Sequence, residues 1–149
     1  MADSALALII LTPLAGALLV MLAGRWPNLR EAVSIGTGLL LVAQIISIAP
    51  SVLDGSALRQ VIATPVPQLP LAFEFEPLGL LFGLIASSLW VITTIYAIGY
   101  MRGHNESNQT RFFVFFAIAI SATMGVALAA NLFTLFVFYE LLTLSTYPL

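Results

Sequence analysis

The chain has 149 residues, of which 60% are hydrophobic and 8% charged, with a net charge of −2. Soluble domains carry about 25% charged residues, and the five basic residues, all Arg and all scattered, form no stripe for nucleic acid. With no Cys and one His, disulfide frameworks, thiol catalysis and Cys- or His-rich metal sites within the chain are excluded; so much apolar surface excludes disorder and leaves an all-α polytopic membrane protein.

A transmembrane helix needs about 20 predominantly apolar residues. The first such run, 5–23, carries no charge and stops at Gly24-Arg25-Trp26-Pro27. A secretory signal would have a cationic start, whereas the charge ahead of this run is Asp3, so it reads as a retained helix. Further runs cover about 32–49, stopping before Pro50, then 78–101, opened by Pro77, then 112–130, and lastly 132–149, still apolar at Leu149. The sequence therefore predicts one transmembrane domain over 1–149 with five helices. The long loop from Pro50 to Glu76 holds Pro65, Pro67 and Pro70 and ends in Phe73-Glu74-Phe75-Glu76. That apolar/acidic alternation has the period of a strand, and it predicts a short hairpin between helices 2 and 3, with the prolines confining any strand to an edge.

Arginines mark the cytoplasmic side. Arg25 and Arg30 flank one loop and Arg102 and Arg111 another, both on one side; the opposite side has Arg59. The N-terminus is expected outside and the hairpin with it, in a multi-pass protein of the bacterial inner (plasma) membrane.

Glu140 stands apart from the other acids. Counted from the turn at Asn131, it lies about 13.5 Å along the fifth helix, near the bilayer midplane. A carboxylate there costs about 2.5–3.5 kcal/mol on insertion scales and is a proton-relay candidate. Burial disfavours the ionised form and a neighbouring cation favours it, so a group pulled both ways can load and release protons. Thr143 and Tyr147 fall three and seven residues on, on the same face, where their hydroxyls could support the carboxyl or hold water. The plainer reading is a glutamate that only bonds a neighbouring helix. His104, in the loop Arg102-Gly103-His104-Asn105-Glu106, could collect protons or be a solvated loop residue. Trp90 is expected to pack between helices, Tyr96 and Tyr100 to sit in an aromatic belt, and Gly99 and Gly125 to permit close helix packing. The hydroxyls of Ser87, Ser121 and Thr123 are expected to bond their own helix.

Several stretches from the third helix onward resemble a known family. They are Glu76-Pro77-Leu78-Gly79-Leu80-Leu81-Phe82, Tyr96-Ala97-Ile98-Gly99-Tyr100-Met101, Arg111-Phe112-Phe113, Asn131-Leu132-Phe133-Thr134-Leu135-Phe136, and Phe138-Tyr139-Glu140-Leu141-Leu142-Thr143-Leu144-Ser145-Thr146-Tyr147-Pro148-Leu149. In order and spacing they are similar to the proton-conducting, antiporter-like membrane subunits of the multisubunit monovalent cation/proton (Na+/H+) antiporters and of the complex I membrane arm. The last stretch looks most like the D-type component of the antiporters; complex I subunits more often have Trp before the glutamate. The resemblance implies that Glu140 is the family's fifth-helix glutamate, coupled to a lysine on the seventh helix. It also implies a longer fold with two inverted five-helix repeats beginning at the fourth helix. This chain would then be its N-terminal portion, truncated, with the first three helices and the start of the first repeat. Glu76 departs from the family's usual Asp and keeps the charge.

The function so implied is a proton-translocating subunit of a cation/proton antiporter. It would work in a hetero-oligomeric membrane complex with other subunits, moving protons and a monovalent cation, with the lipid bilayer as its surroundings and no cofactor, metal or nucleic acid. The alternative is the corresponding proton-pumping subunit of an NADH-quinone oxidoreductase, where redox chemistry would reside in other chains. A membrane scaffold without transport is a third reading. One buried Glu and one loop His do not make an enzyme of the isolated chain.

Overall fold

Prolines open two of the long helices. A proline in the first turn has no N–H to lose and a φ already suited to the helix, and Pro27 and Pro77 both take that place. The computed structural model describes residues 2–55 and 58–148. In chain order it has α1 (Ala2–Leu22), α2 (Pro27–Leu53), β1 (Leu58–Val66), β2 (Leu69–Phe75), α3 (Pro77–Gly103), α4 (Gln109–Ala127) and α5 (Leu132–Thr146). The chain is thus an all-α polytopic membrane protein with one β-ribbon.

The helix bounds differ from those read off hydropathy, each for a local reason. α2 begins at Pro27 rather than 32, which draws Arg30 and Glu31 into the helix, and it runs one turn past Pro50. α4 stops at Ala127 because residues 128–130 turn away to pair with β2. α5 stops at Thr146, one residue before Tyr147-Pro148, since a proline disfavours helical backbone in the residue before it; Leu149 lies outside the described residues. α1 to α4 are each long and apolar enough to cross a bilayer, whereas α5 is a shorter apolar helix. Its 15 residues span about 22 Å at 1.5 Å each.

Each long helix buries a stripe and leaves leucines outward. In α1, Leu6, Ile9, Ala17 and Val20 are buried while Leu8, Leu11, Leu18 and Leu22 are exposed, as expected of a helix that is apolar all round and faces lipid. α1 packs on α2 and α4, α2 on α3, and α5 chiefly on α4 and β2. Trp90 is buried at the α2–α3 contact, beside Gly38. Thr12 Oγ1 donates to Gln44 Oε1 at 2.9 Å, a polar tie of the kind that holds helices together where no water competes. Gly125 serves close packing: a Cβ there would overlap the Phe138 ring of α5. Gly99 does not, because among the described residues no neighbouring atom lies within 4 Å of the place a Cβ would take.

The strands form an antiparallel ribbon, Leu58 opposite Phe75 and Val66 opposite Leu69, closed by Pro67-Gln68 with Gln68 at φ 68°. The ribbon is strapped to the α4–α5 turn. Glu74 N–H donates to the Leu128 carbonyl (2.7 Å) and Ala130 N–H to the Ala72 carbonyl (3.0 Å). Asn131 caps α5 by accepting from Thr134 N–H (2.8 Å) and donates through Nδ2 to the Pro70 carbonyl (2.8 Å). Thr134 Oγ1, fully buried, accepts from Ala72 N–H at 3.0 Å. Phe73 meets Phe138 edge-on at 5.3 Å.

Candidate functional site

α5 owes its face assignment to that strap. With Thr134 against β2 and Phe138 against Gly125, the helix turns Thr134 and Ser145 inward. Phe136, Tyr139, Glu140, Thr143, Leu144 and Tyr147 then share the opposite, exposed face. Glu140 is the ninth of the 15 residues, near mid-helix. It is exposed, contrary to the burial expected of it. Position along a helix says nothing of which side of the bundle a residue faces, and α5, which packs chiefly on α4 and β2, lies at the bundle's edge. Ion pairs among the described residues are those of Glu31 with Arg30 and Arg102; none involves Glu140.

The proposed supporting groups share that face without bonding the carboxylate. Thr143 Oγ1 donates to the Tyr139 carbonyl of its own helix at 3.1 Å, which leaves its oxygen free only to accept. Tyr147 sits at the helix C-cap, 91% exposed. His104 caps α3 at the same end of the bundle as the α5 C-terminus. Its Nδ1 lies 2.9 Å from the Tyr100 carbonyl, and its ring stacks on Tyr100 at 4.4 Å. A carbonyl only accepts, so Nδ1 carries a proton. Ser87 and Thr123 bond their own helices as expected, but Ser121 donates across to the Ile10 carbonyl of α1 at 2.7 Å.

The buried carboxylate is Glu31. Arg30 and Glu31 are 5% and 6% exposed. Arg102, from the last turn of α3, grips Glu31 with a fork: Nε to Oε1 at 2.9 Å and Nη2 to Oε2 at 2.5 Å, the geometry that makes such pairs strong. Arg30 Nη1 donates to Thr110 Oγ1 (3.0 Å) and Nη2 to Gln109 Oε1 (3.1 Å), and its guanidinium lies 5.5 Å from the Phe113 ring centre. Arg30 Nε and Ser34 Oγ are buried without a partner. The cluster ties α2 to α3 and to the start of α4. On sequence these arginines served only to orient the chain. The available signal was an adjacent Arg-Glu pair beside a helix-opening proline in a chain with so few charges. No group of His, Asp and Glu among the described residues has the arrangement of a metal site.

Comparison with known proteins agrees with this architecture. The chain is 35% identical over 75 residues to the Na(+)/H(+) antiporter subunit A1 of Staphylococcus aureus, a match covering 50% of this chain and 9% of that protein. It is 26% identical over 156 aligned positions to the NADH-quinone oxidoreductase subunit L of Mycobacterium tuberculosis, covering 95% of this chain and 24% of that one. The chain belongs to the antiporter-like, complex I-related membrane subunit family. A chain of the solved membrane-bound sulfane sulfur reductase, an archaeal respiratory membrane complex, superposes with a TM-score of 0.81 at 20% identity, over 97% of this chain and 22% of that one; it shares the fold. This antiporter-like chain thus spans a quarter or less of the relatives it matches. Neither relative named above is of the D type that the last sequence stretch suggested. No family model matches the chain.

Proposed function

We propose that this chain forms part of a proton-translocating membrane subunit of a multisubunit monovalent cation/proton antiporter, in which Glu140 is a protonatable relay. The observation that carries the reading is the carboxylate near the middle of α5, on a face that no other described helix covers. A carboxylate facing lipid at that depth is costly. A longer subunit, as the relatives are, would cover it with further helices and supply a cation that favours the ionised form. The Thr143 oxygen would then accept from the protonated carboxyl or from water, and Tyr147 would extend the polar track. His104 could collect protons at the arginine end. In this orientation the N-terminus and the ribbon are outside, in a bacterial plasma membrane, with other subunits alongside. The antiporter component, A-type or D-type, rests on the relatives for the first and on the Tyr139–Pro148 stretch for the second.

The test is Glu140→Gln in the full-length subunit within its complex. Cation-dependent proton exchange in membrane vesicles should fall to background while the complex assembles in normal amounts. Exchange at the wild-type rate would sink the reading.

A second reading has its own support: the match to an oxidoreductase subunit extends over 95% of this chain. There the same carboxylate would serve a proton pump driven by redox chemistry in other chains. Proton movement that requires NADH and quinone, rather than a cation gradient, would favour it.

A further inference from the structure

Two concavities meet at the arginine end of the bundle. One is an open polar cleft of about 740 Å³, lined among others by Arg30, Arg102, Arg111, Gln109 and Thr110. Three guanidiniums there face a single lining carboxylate, Glu106. Glu31 is already held beneath Arg102. Arg111 is exposed and, among the described residues, makes no ion pair. The other concavity is an almost wholly apolar groove of about 540 Å³ between α1 and α4, lined by Leu14, Leu18, Met21, Val114, Phe115 and Ile118. Thr110 and Arg111 line both. A cationic cleft therefore adjoins an apolar groove that runs along two helices long and apolar enough to cross a bilayer. Trp26, Tyr96 and Tyr100, all exposed near the same end, put this junction at headgroup depth, where such aromatics collect.

We infer that this junction binds an anionic phospholipid, its phosphate in the arginine cleft and one acyl chain in the α1–α4 groove. The charge excess selects a negative headgroup. The groove demands an apolar tail attached to it, which separates a lipid from a free anion. Arg111 is the residue placed to touch both parts. Arg30 and Arg102 are largely committed to Glu31, Gln109, Thr110 and Asn28, so they set the field while Arg111 supplies free donors.

The test uses the full-length subunit in its complex, exchanged in detergent with phosphatidylglycerol or with phosphatidylcholine of the same acyl chains, and read by native mass spectrometry. The wild type should retain phosphatidylglycerol in preference. Arg111→Ala should weaken that retention about fivefold, the loss of one arginine near an anionic surface. Leu18→Trp fills the groove and leaves every charge in place; it should displace the lipid from a complex that still assembles. Equal retention of both lipids, or wild-type retention in both variants, would overturn the inference. Displacement by inorganic phosphate or glycerophosphate at the lipid's own concentration would also overturn it, in favour of a free anion. So would a protein helix found seated in the groove of the assembled complex.

Discussion

Glu31 and Glu140 are both carboxylates on apolar helices, and they live in opposite surroundings. Glu31 lies in the second turn of α2, at the arginine end, enclosed and gripped by Arg102 with Arg30 beside it. Glu140 lies near the middle of α5, on an open face, without an ion pair among the described residues. Glu31 has the marks of a structural charge: a fixed partner, little room, and a place in a cluster that joins three helices through Arg30 and Arg102. Such a group is costly to disturb. Glu140 is exposed, and the relay proposed for it calls for a cation from another part of the subunit. Burial in the bundle and position along a helix are separate quantities: Glu31 is buried near a helix end, and Glu140 is exposed near a helix middle.

The contrast can be broken at either end. The largest expected effect is that of Glu140→Gln, which should remove transport while leaving the unfolding midpoint in detergent nearly unchanged. Glu31→Gln should do the reverse. It leaves Arg30 buried beside a neutral amide, which costs about 3 kcal/mol, the low end for a broken buried pair because Arg102 stays half-exposed. Transport per assembled complex should persist, and an unaltered midpoint would refute the structural role. Gly125→Ala should come next, at about 2 kcal/mol for overpacking against Phe138; it pushes α5 off α4, so a drop in both stability and transport is expected. Thr134→Val removes the acceptor of the Ala72 N–H and should cost about 1–2 kcal/mol, with faster hydrogen exchange at Ala72 as the specific sign. His104→Ala should be smallest, within about 0.5 kcal/mol, and a change in proton uptake beyond that expected of its stability would restore it as a proton collector.

Long-range organisation was the most legible layer. Runs of apolar residues without charge revealed the helices, and the alternation Phe73-Glu74-Phe75-Glu76 located β2. Less legible were features set by partners distant in sequence. Residues 128–130 are as apolar as a helix interior, yet they leave α4 because β2 offers them hydrogen bonds. Ser121 reaches Ile10, 111 residues away, which no local pattern encodes. Glu140 was conspicuous by type and position, but the face it takes follows from Phe138 fitting Gly125 and Thr134 fitting Ala72. Arg30, Glu31 and Arg102 were hidden because a charge near a helix end ordinarily signals solvent, and here three such ends fold over one another.

The strap between β2 and the α4–α5 turn has a mechanical meaning as well. It pins α5 at its first residues, through Asn131 and Thr134, and beyond Phe138 the helix has one face resting on α4 and the other uncovered by the described residues. A rod fixed at one end and supported along one side moves most at the points farthest from the fixed end. Over the eight residues from Leu132 to Glu140, about 12 Å at the helical rise, a tilt of roughly 10° carries the carboxylate by some 2 Å. That is the difference between a made and an unmade hydrogen bond, so the ribbon fixes the fulcrum from which any such movement would be measured.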